Sequence, residues 1–310
     1  MHAFKKSLKI TVFTFAMLFI ASLSASAQKT TIKPLFPGGK TKAFVFSTDD
    51  GPVQDRRLVA LLNTYHLKGT FHLNSNKLNS PNYLQKEEIK NLFKGHEVSV
   101  HSMNHPGLSG LPLAEIRSEI FGDKLALAKI AGQSVRGMAY PFGNFNDEVV
   151  EIAKTSGMEY ARIVDETRNF SLPNDFLRWK PSTHQFGKAY YEAKNLENDQ
   201  KELALFNNLT TDFLRSDTLA LYTVWGHSWE MGDSDAKWND LETCFKQIAN
   251  SKAVCALTMI EVVDYLQAYK LLQVSETKHS VFNPSTVTVF VSVDGKTYKI
   301  RPKSSLKLPK

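Results

Sequence analysis

Residues 42–52 read KAFVFSTDDGP, a short apolar and aromatic run that stops at two adjacent carboxylates, Asp49 and Asp50, followed by Gly51 and Pro52. A run of this length and texture suits a strand buried by helices on its face. Six further stretches share it: GTFHLN, HEVSVH, GMAYPF, YARIVD, ALYTVW and AVCALT. Between them lie segments with helical spacing of apolar residues, among them RRLVALLNTYH, LAEIRSEIFGDKLALAKIAG, WNDLETCFKQIAN and IEVVDYLQAYKLL. Repeated strand and helix alternation implies a mainly parallel sheet with helices outside. About seven such units over residues 42–272 predict a closed or distorted α/β barrel rather than an open sheet.

The flanks have a different texture. Lys5, Lys6 and Lys9 precede an apolar run from Ile10 to Leu23 and the small-residue site Ala25-Ser26-Ala27, which reads as a secretory signal over residues 1–27 cleaved near Ala27, or as a retained anchor. The expected mature chain is exported, to the periplasm, the cell surface or the medium, without stable membrane insertion. Residues 28–41 form a lead-in. Residues 273–310 carry TVTVFVSVDGKTYKIRP, whose alternation around Asp294-Gly295 predicts a hairpin and a small C-terminal β appendage. Loss of the leader removes three lysines and no acid, so the formal charge falls from +7 to +4. The lysines are scattered, which argues against a nucleic-acid surface. Cys244 and Cys255 read as one disulfide or as two buried thiols.

Chemistry-bearing residues cluster at strand ends. Asp49 and Asp50 follow KAFVFS, His101 and His105 follow HEVSV, Pro141-Phe142-Gly143 follows GMAY, and His227 follows ALYTVW. In a barrel these ends converge on one face. Two imidazoles and one carboxylate suit a divalent metal, with Zn²⁺ favoured by ligand type and Co²⁺, Ni²⁺, Mn²⁺ or Fe²⁺ compatible. The spare carboxylate beside them could serve as a base. The long segment from Glu166 to Leu219 leaves a strand end on the same face. Its Trp179 and His184 are candidates for sugar contact, the tryptophan by stacking on a pyranose face or else as a packing anchor.

Together FSTDDGP, HSMNHP, YPFG and WGHS resemble the polysaccharide deacetylases of carbohydrate esterase family four, which share the nodulation-factor deacetylase homology domain. The likeness covers about residues 42–272 and implies a distorted (β/α)7 barrel, in agreement with the strand count. It implies Asp50, His101 and His105 as metal ligands, Asp49 as general base, and His227 as the acid that protonates the departing amine or alcohol. The turn Pro141-Phe142-Gly143 would border the substrate, with the backbone N–H near Phe142 helping to stabilise an oxyanion. Trp225 stands where the family has an apolar residue near the acetyl methyl, so it reads as pocket lining or as a buried strand aromatic.

Two departures stand out. Ala139 occupies the place of the family's arginine that pairs with the base, which leaves Arg162 as the replacement candidate or as a barrel-rim salt bridge. The fourth motif is absent in its usual form, and Asp165 or Glu230 is left to orient His227. The expected activity is metal-dependent removal of acetyl groups, as N-acetyl amides or O-acetyl esters, from a polysaccharide or oligosaccharide. A non-catalytic carbohydrate-binding barrel and a metal amidase acting on a small non-sugar amide are the alternatives.

Overall fold

The computed structural model describes residues 32–186, 196–275, 277 and 279–309; the expected leader, residues 1–27, lies outside the described residues. No helix among the described residues is long and apolar enough to cross a membrane. After β1 (Ile32–Leu35), five parallel strands stand side by side: β2 (Lys42–Asp50), β3 (Gly69–Leu73), β4 (Glu97–Val100), β5 (Gly137–Ala139) and β6 (Tyr160–Arg162). On the other edge of β2 the sheet continues through β8 (Ala220–Gly226) to β7 (Thr183–His184).

Residues 179–185 bring the two ends of this sheet together. The Trp179 N–H donates to the Ala161 carbonyl at 2.9 Å and the Ile163 N–H to the Trp179 carbonyl at 3.0 Å, both on the β6 side. The Ser182 N–H donates to Thr223 at 2.8 Å and the Gln185 N–H to Trp225 at 2.6 Å, both on β8. The result is a distorted (β/α)7 barrel. Its seventh stave is therefore RWKPSTH, not AVCALT as the texture of the sequence suggested. The latter forms β9 (Val254–Ala256), which pairs with Lys42–Phe44 and lies below β3, the partner of β2 from Phe46 onward.

Strand alternation divides the side chains into two sets. Phe44, Phe46, Phe71, Val98, Val100, Met138, Ala161, Tyr222 and Val224 point outward into a core shared with the helices. These are α1 (Asp55–Thr64), α2 (Lys86–Leu92), α3 (Leu113–Arg117), α4 (Asp123–Ala131), α5 (Asp147–Thr155), α6 (Leu196–Arg215) and α7 (Asp235–Asn250). Phe245 of α7, for example, stands edge-on to Phe46 at 5.1 Å. The inward set is more polar. It includes Ser47, Asp49, Thr70, His72, Ser99, His101, Arg162 and Thr223, all buried. Gly137 belongs to this set because a Cβ there would lie 1.9 Å from the Tyr160 ring that fills the interior.

The end of the barrel where the strands begin is closed by α8 (Met259–Lys270). Its first N–H groups reach the starts of β3 and β4: Met259 donates to Thr70 Oγ1 at 2.9 Å and Ile260 to Glu97 Oε2 at 3.0 Å. A Thr258 and Glu261 capping box fixes that helix end. Val262, Val263 and Leu266 of α8 then share a second core with Ala43 and Val45 of β2 and with the C-terminal strands.

Those strands form two small antiparallel sheets. One orders β10 (Gln273–Ser275), β11 (Ser280–Asn283) and β14 (Ser304–Lys307); the other joins β12 (Val289–Val293) and β13 (Lys296–Ile300) to β1. Asp294 and Gly295, at φ +48° and +81°, make the two-residue turn between β12 and β13. The lead-in thus contributes a strand to the appendage. Cys244 and Cys255 are free thiols, the first buried beside Thr210 and the second beside the Lys42 carbonyl.

Candidate active site

The strands end on the opposite face, and there the backbone departs from regular geometry. Asp50, the last residue of β2, and Gly51 take consecutive left-handed conformations at φ +81° and +79°, while Asp49 before them is buried in the inward set. Ser102 and His105, at φ +62° and +63°, curl the HSMNH segment into a compact loop. Phe142 is also left-handed, at φ +57°. Such conformations in residues other than glycine persist only where the surroundings dictate them.

For the HSMNH loop those surroundings are visible. The Asn74 amide donates to the His101 and Ser102 carbonyls at 2.6 and 2.9 Å. The buried Asp123 accepts the backbone N–H groups of Ser75 and His101 at 2.8 and 3.1 Å. A π-helical turn over Ser118–Gly122 precedes Asp123, and its Glu119 carbonyl accepts the Met103 N–H while its carboxylate accepts the Asn104 N–H. One bulged helix therefore holds the loop at three backbone positions.

Asp50, His101 and His105 converge. Asp50 Oδ1 lies 3.5 Å from His105 Nε2 and 3.8 Å from His101 Nε2, and the two imidazole nitrogens are 3.1 Å apart. Ligands about 2.1 Å from a tetrahedral ion stand roughly 3.4 Å from one another, so this triangle fits a zinc-sized cation. Asp50 Oδ1 is buried and accepts no hydrogen bond among the described residues. His101 Nδ1 donates to the Ala139 carbonyl at 2.8 Å, which fixes the tautomer that leaves Nε2 as a lone pair. Burial pushes both imidazoles down, His105 to about 4 with His101 beside it adding to the shift, so both are neutral at pH 7 and could ligate a cation.

Asp49 and Arg162 form a buried ion pair, Arg162 Nη2 donating to Asp49 Oδ2. Burial alone would raise the Asp49 carboxyl. The Arg162 guanidinium, with His101, His72 and His227 around it, instead holds it well below the usual carboxylate range. Asp49 Oδ1 is buried and accepts no hydrogen bond among the described residues. Arg162 is one strand further along the sheet than Ala139, and β5 pairs Ala139 with Arg162, so the longer side chain reaches Asp49 from the neighbouring stave.

His227 follows β8, and its Nδ1 is 2.5 Å from Glu230 Oε1. The same oxygen lies 3.0 Å from His184 Nε2, and Gln185 Nε2 donates to Glu230 Oε2 at 3.0 Å. Burial works against both charges here. His184 and His227 nevertheless hold the Glu230 carboxyl at about 2, and Glu230, then Asp49 and Asp50, raise His227 above its ordinary value despite its burial.

Three expected contacts are corrected. Asp165 does not orient His227: its side chain is 69% exposed and faces Lys180 at 3.6 Å, while Glu230 occupies the place beside the imidazole. Trp179 offers no face to a sugar, because its ring is 1% exposed and packs against Tyr160 and Phe176. Trp225 is covered as well, with the Arg162 guanidinium 4.4 Å above one face and the His184 ring 4.7 Å away. Pro141 is buried and Gly143 takes φ +63°, whereas Phe142 is 64% exposed with its ring 4.4 Å from that of His105. Trp229 was not among the expected site residues. Its indole N–H donates to Asp50 Oδ2 at 2.9 Å and its ring lies 4.9 Å from that of His227. Its place two residues after His227 was the only signal.

The polysaccharide deacetylase family model matches residues 38–161, which carry Asp49, Asp50, His101 and His105 and stop one residue before Arg162. Chitin deacetylase 1 of Cryptococcus neoformans is 31% identical over 114 residues, 36% of this chain and 23% of that protein. The peptidoglycan-N-acetylglucosamine deacetylase PgdA of Listeria monocytogenes is 28% identical over 141 residues, 43% of this chain and 29% of its own length. The chain thus spans under a third of these two curated relatives. A solved Mycobacterium smegmatis structure, named as a candidate polysaccharide deacetylase, shares the fold with a TM-score of 0.59 at 17% identity, covering 77% of this chain and 95% of that one. Over residues 38–161, two fifths of its length, the chain is similar to the polysaccharide deacetylase family.

Proposed function

We propose that this chain is an exported hydrolase that removes acetyl groups from a polysaccharide, with a divalent cation, zinc by ligand type, held by Asp50, His101 and His105. The observation that carries the reading is the clustering of those three ligand atoms within 4.8 Å of one another, beside the Arg162-paired Asp49. A cation bound there supplies Lewis acidity, polarising the acetyl carbonyl and acidifying water.

The protein's own residues do the rest. Asp49, kept ionised by Arg162, takes the proton of the attacking water on its unpartnered Oδ1. His227, held through Nδ1 by Glu230, gives a proton from its other ring nitrogen to the departing amine or alcohol. Arg162 stacks on Trp225, which fixes the guanidinium from behind. The partly exposed rim of Asp50, His105 and Phe142 suits an extended acetylated glycan better than a small enclosed amide.

The test is acetate release from a panel of acetylated glycans by zinc-loaded protein, chelated protein and Asp49→Asn. Loss of a positioned base costs about 10²–10⁴-fold. Chelation and the substitution should each abolish measurable release. Activity that survives both overturns the mechanism, and tight glycan binding without any release by the wild type would make the chain a binding barrel.

A further inference from the structure

We infer that Trp229 is a positioning residue for Asp50, an inference that rests on the proposed metal site. The short 3-10 turn Ser228–Glu230 begins directly after His227. Its middle residue sends an indole N–H to Asp50 Oδ2 at 2.9 Å, and its last residue holds His227 Nδ1 at 2.5 Å. A carboxylate has two equivalent oxygens, and an N–H bound to one of them makes the pair unequal. Here Oδ2 is engaged by Trp229, and Oδ1 is the buried oxygen turned to His101 and His105.

The consequence is directional. Asp50 is the last residue of β2 and takes a left-handed φ of +81° there. An indole on the turn after β8, the strand that pairs with β2, pins the carboxylate in one rotation. Outer donors of this kind orient metal ligands, and their loss weakens metal affinity about 10–100-fold. Indole nitrogen is a donor only, so it cannot compete for the cation. The ring face against His227 at 4.9 Å ties the same side chain to the acid, so one residue registers both halves of the site.

The experiment is competition of the purified protein against a chromophoric zinc chelator, with Trp229→Phe keeping a ring and losing the N–H. Zinc affinity should fall 10–100-fold, while the melting temperature of the metal-free variant stays near that of the wild type. Trp229→Met, apolar and without a donor, replaces it if the phenylalanine variant does not fold. Wild-type zinc affinity in a folded variant overturns the role of Trp229 and leaves the metal site standing. Failure of the wild type itself to bind zinc overturns the metal site and this inference with it.

Discussion

Glu230 is where a single atom decides most. Its Oε1 faces two imidazoles, His184 and His227, and the carboxylate raises the latter above its ordinary value. In Glu230→Gln the negative charge is gone and burial dominates, so His227 loses its proton at lower pH. An acid must be protonated to act, so the descending basic limb of the kcat/KM profile should move to lower pH. A basic limb unchanged from the wild type would remove Glu230 from the mechanism. Among these residues the two adjacent acids and the two histidines were legible because they are close in sequence and carry the family motif. Arg162 was legible only as a substitute, since nothing linear says which of several basic residues reaches Asp49. Asp165 was misread for the same reason: proximity to a strand end does not tell which way a side chain points, and water and Lys180 claimed it.

At the scale of elements, the informative case is the stave over residues 179–185. RWKPSTH contains Pro181, two cations and few apolar residues, so it reads as a loop. It serves as a strand because its backbone alternates its partners, β6 first and β8 afterwards, and because Trp179 supplies one large buried anchor. Trp179→Ala should therefore destabilise the protein by about 3–5 kcal/mol, read as a lower midpoint in urea, the cost of deleting a fully buried tryptophan. A change below about 1 kcal/mol would mean that this stave is not integral to the barrel. The opposite misreading, AVCALT as a stave, has a simple origin. Its apolar texture is that of a buried strand, but β3 already holds the upper part of the β2 edge, which leaves only the three residues Lys42–Phe44 for β9.

For the whole molecule, the barrel is closed at one end by α8 and open at the other, where the proposed ligands come from the end of β2 and the loop after β4, and Trp229 reaches Asp50 from the turn after β8. A cation that binds only the folded arrangement stabilises all of it by mass action, about 2.7 kcal/mol at a free concentration one hundred times Kd. Adding zinc to chelated protein should raise the melting temperature in calorimetry by several degrees, and an Asp50→Ala variant should lose that response. Equal zinc responses from the wild type and this variant would place the ion elsewhere.

The alternation of strands and helices, the barrel class and the acids and histidines at strand ends are legible in the sequence alone, because hydrophobic period and short motifs are local. Tertiary structure alone decided which arginine faces Asp49, which carboxylate holds His227, which segment completes the ring and that Trp229 grips Asp50. Each of those pairs joins residues far apart in the chain or depends on a side-chain direction set by left-handed backbone and packing, and neither is written in periodicity or spacing.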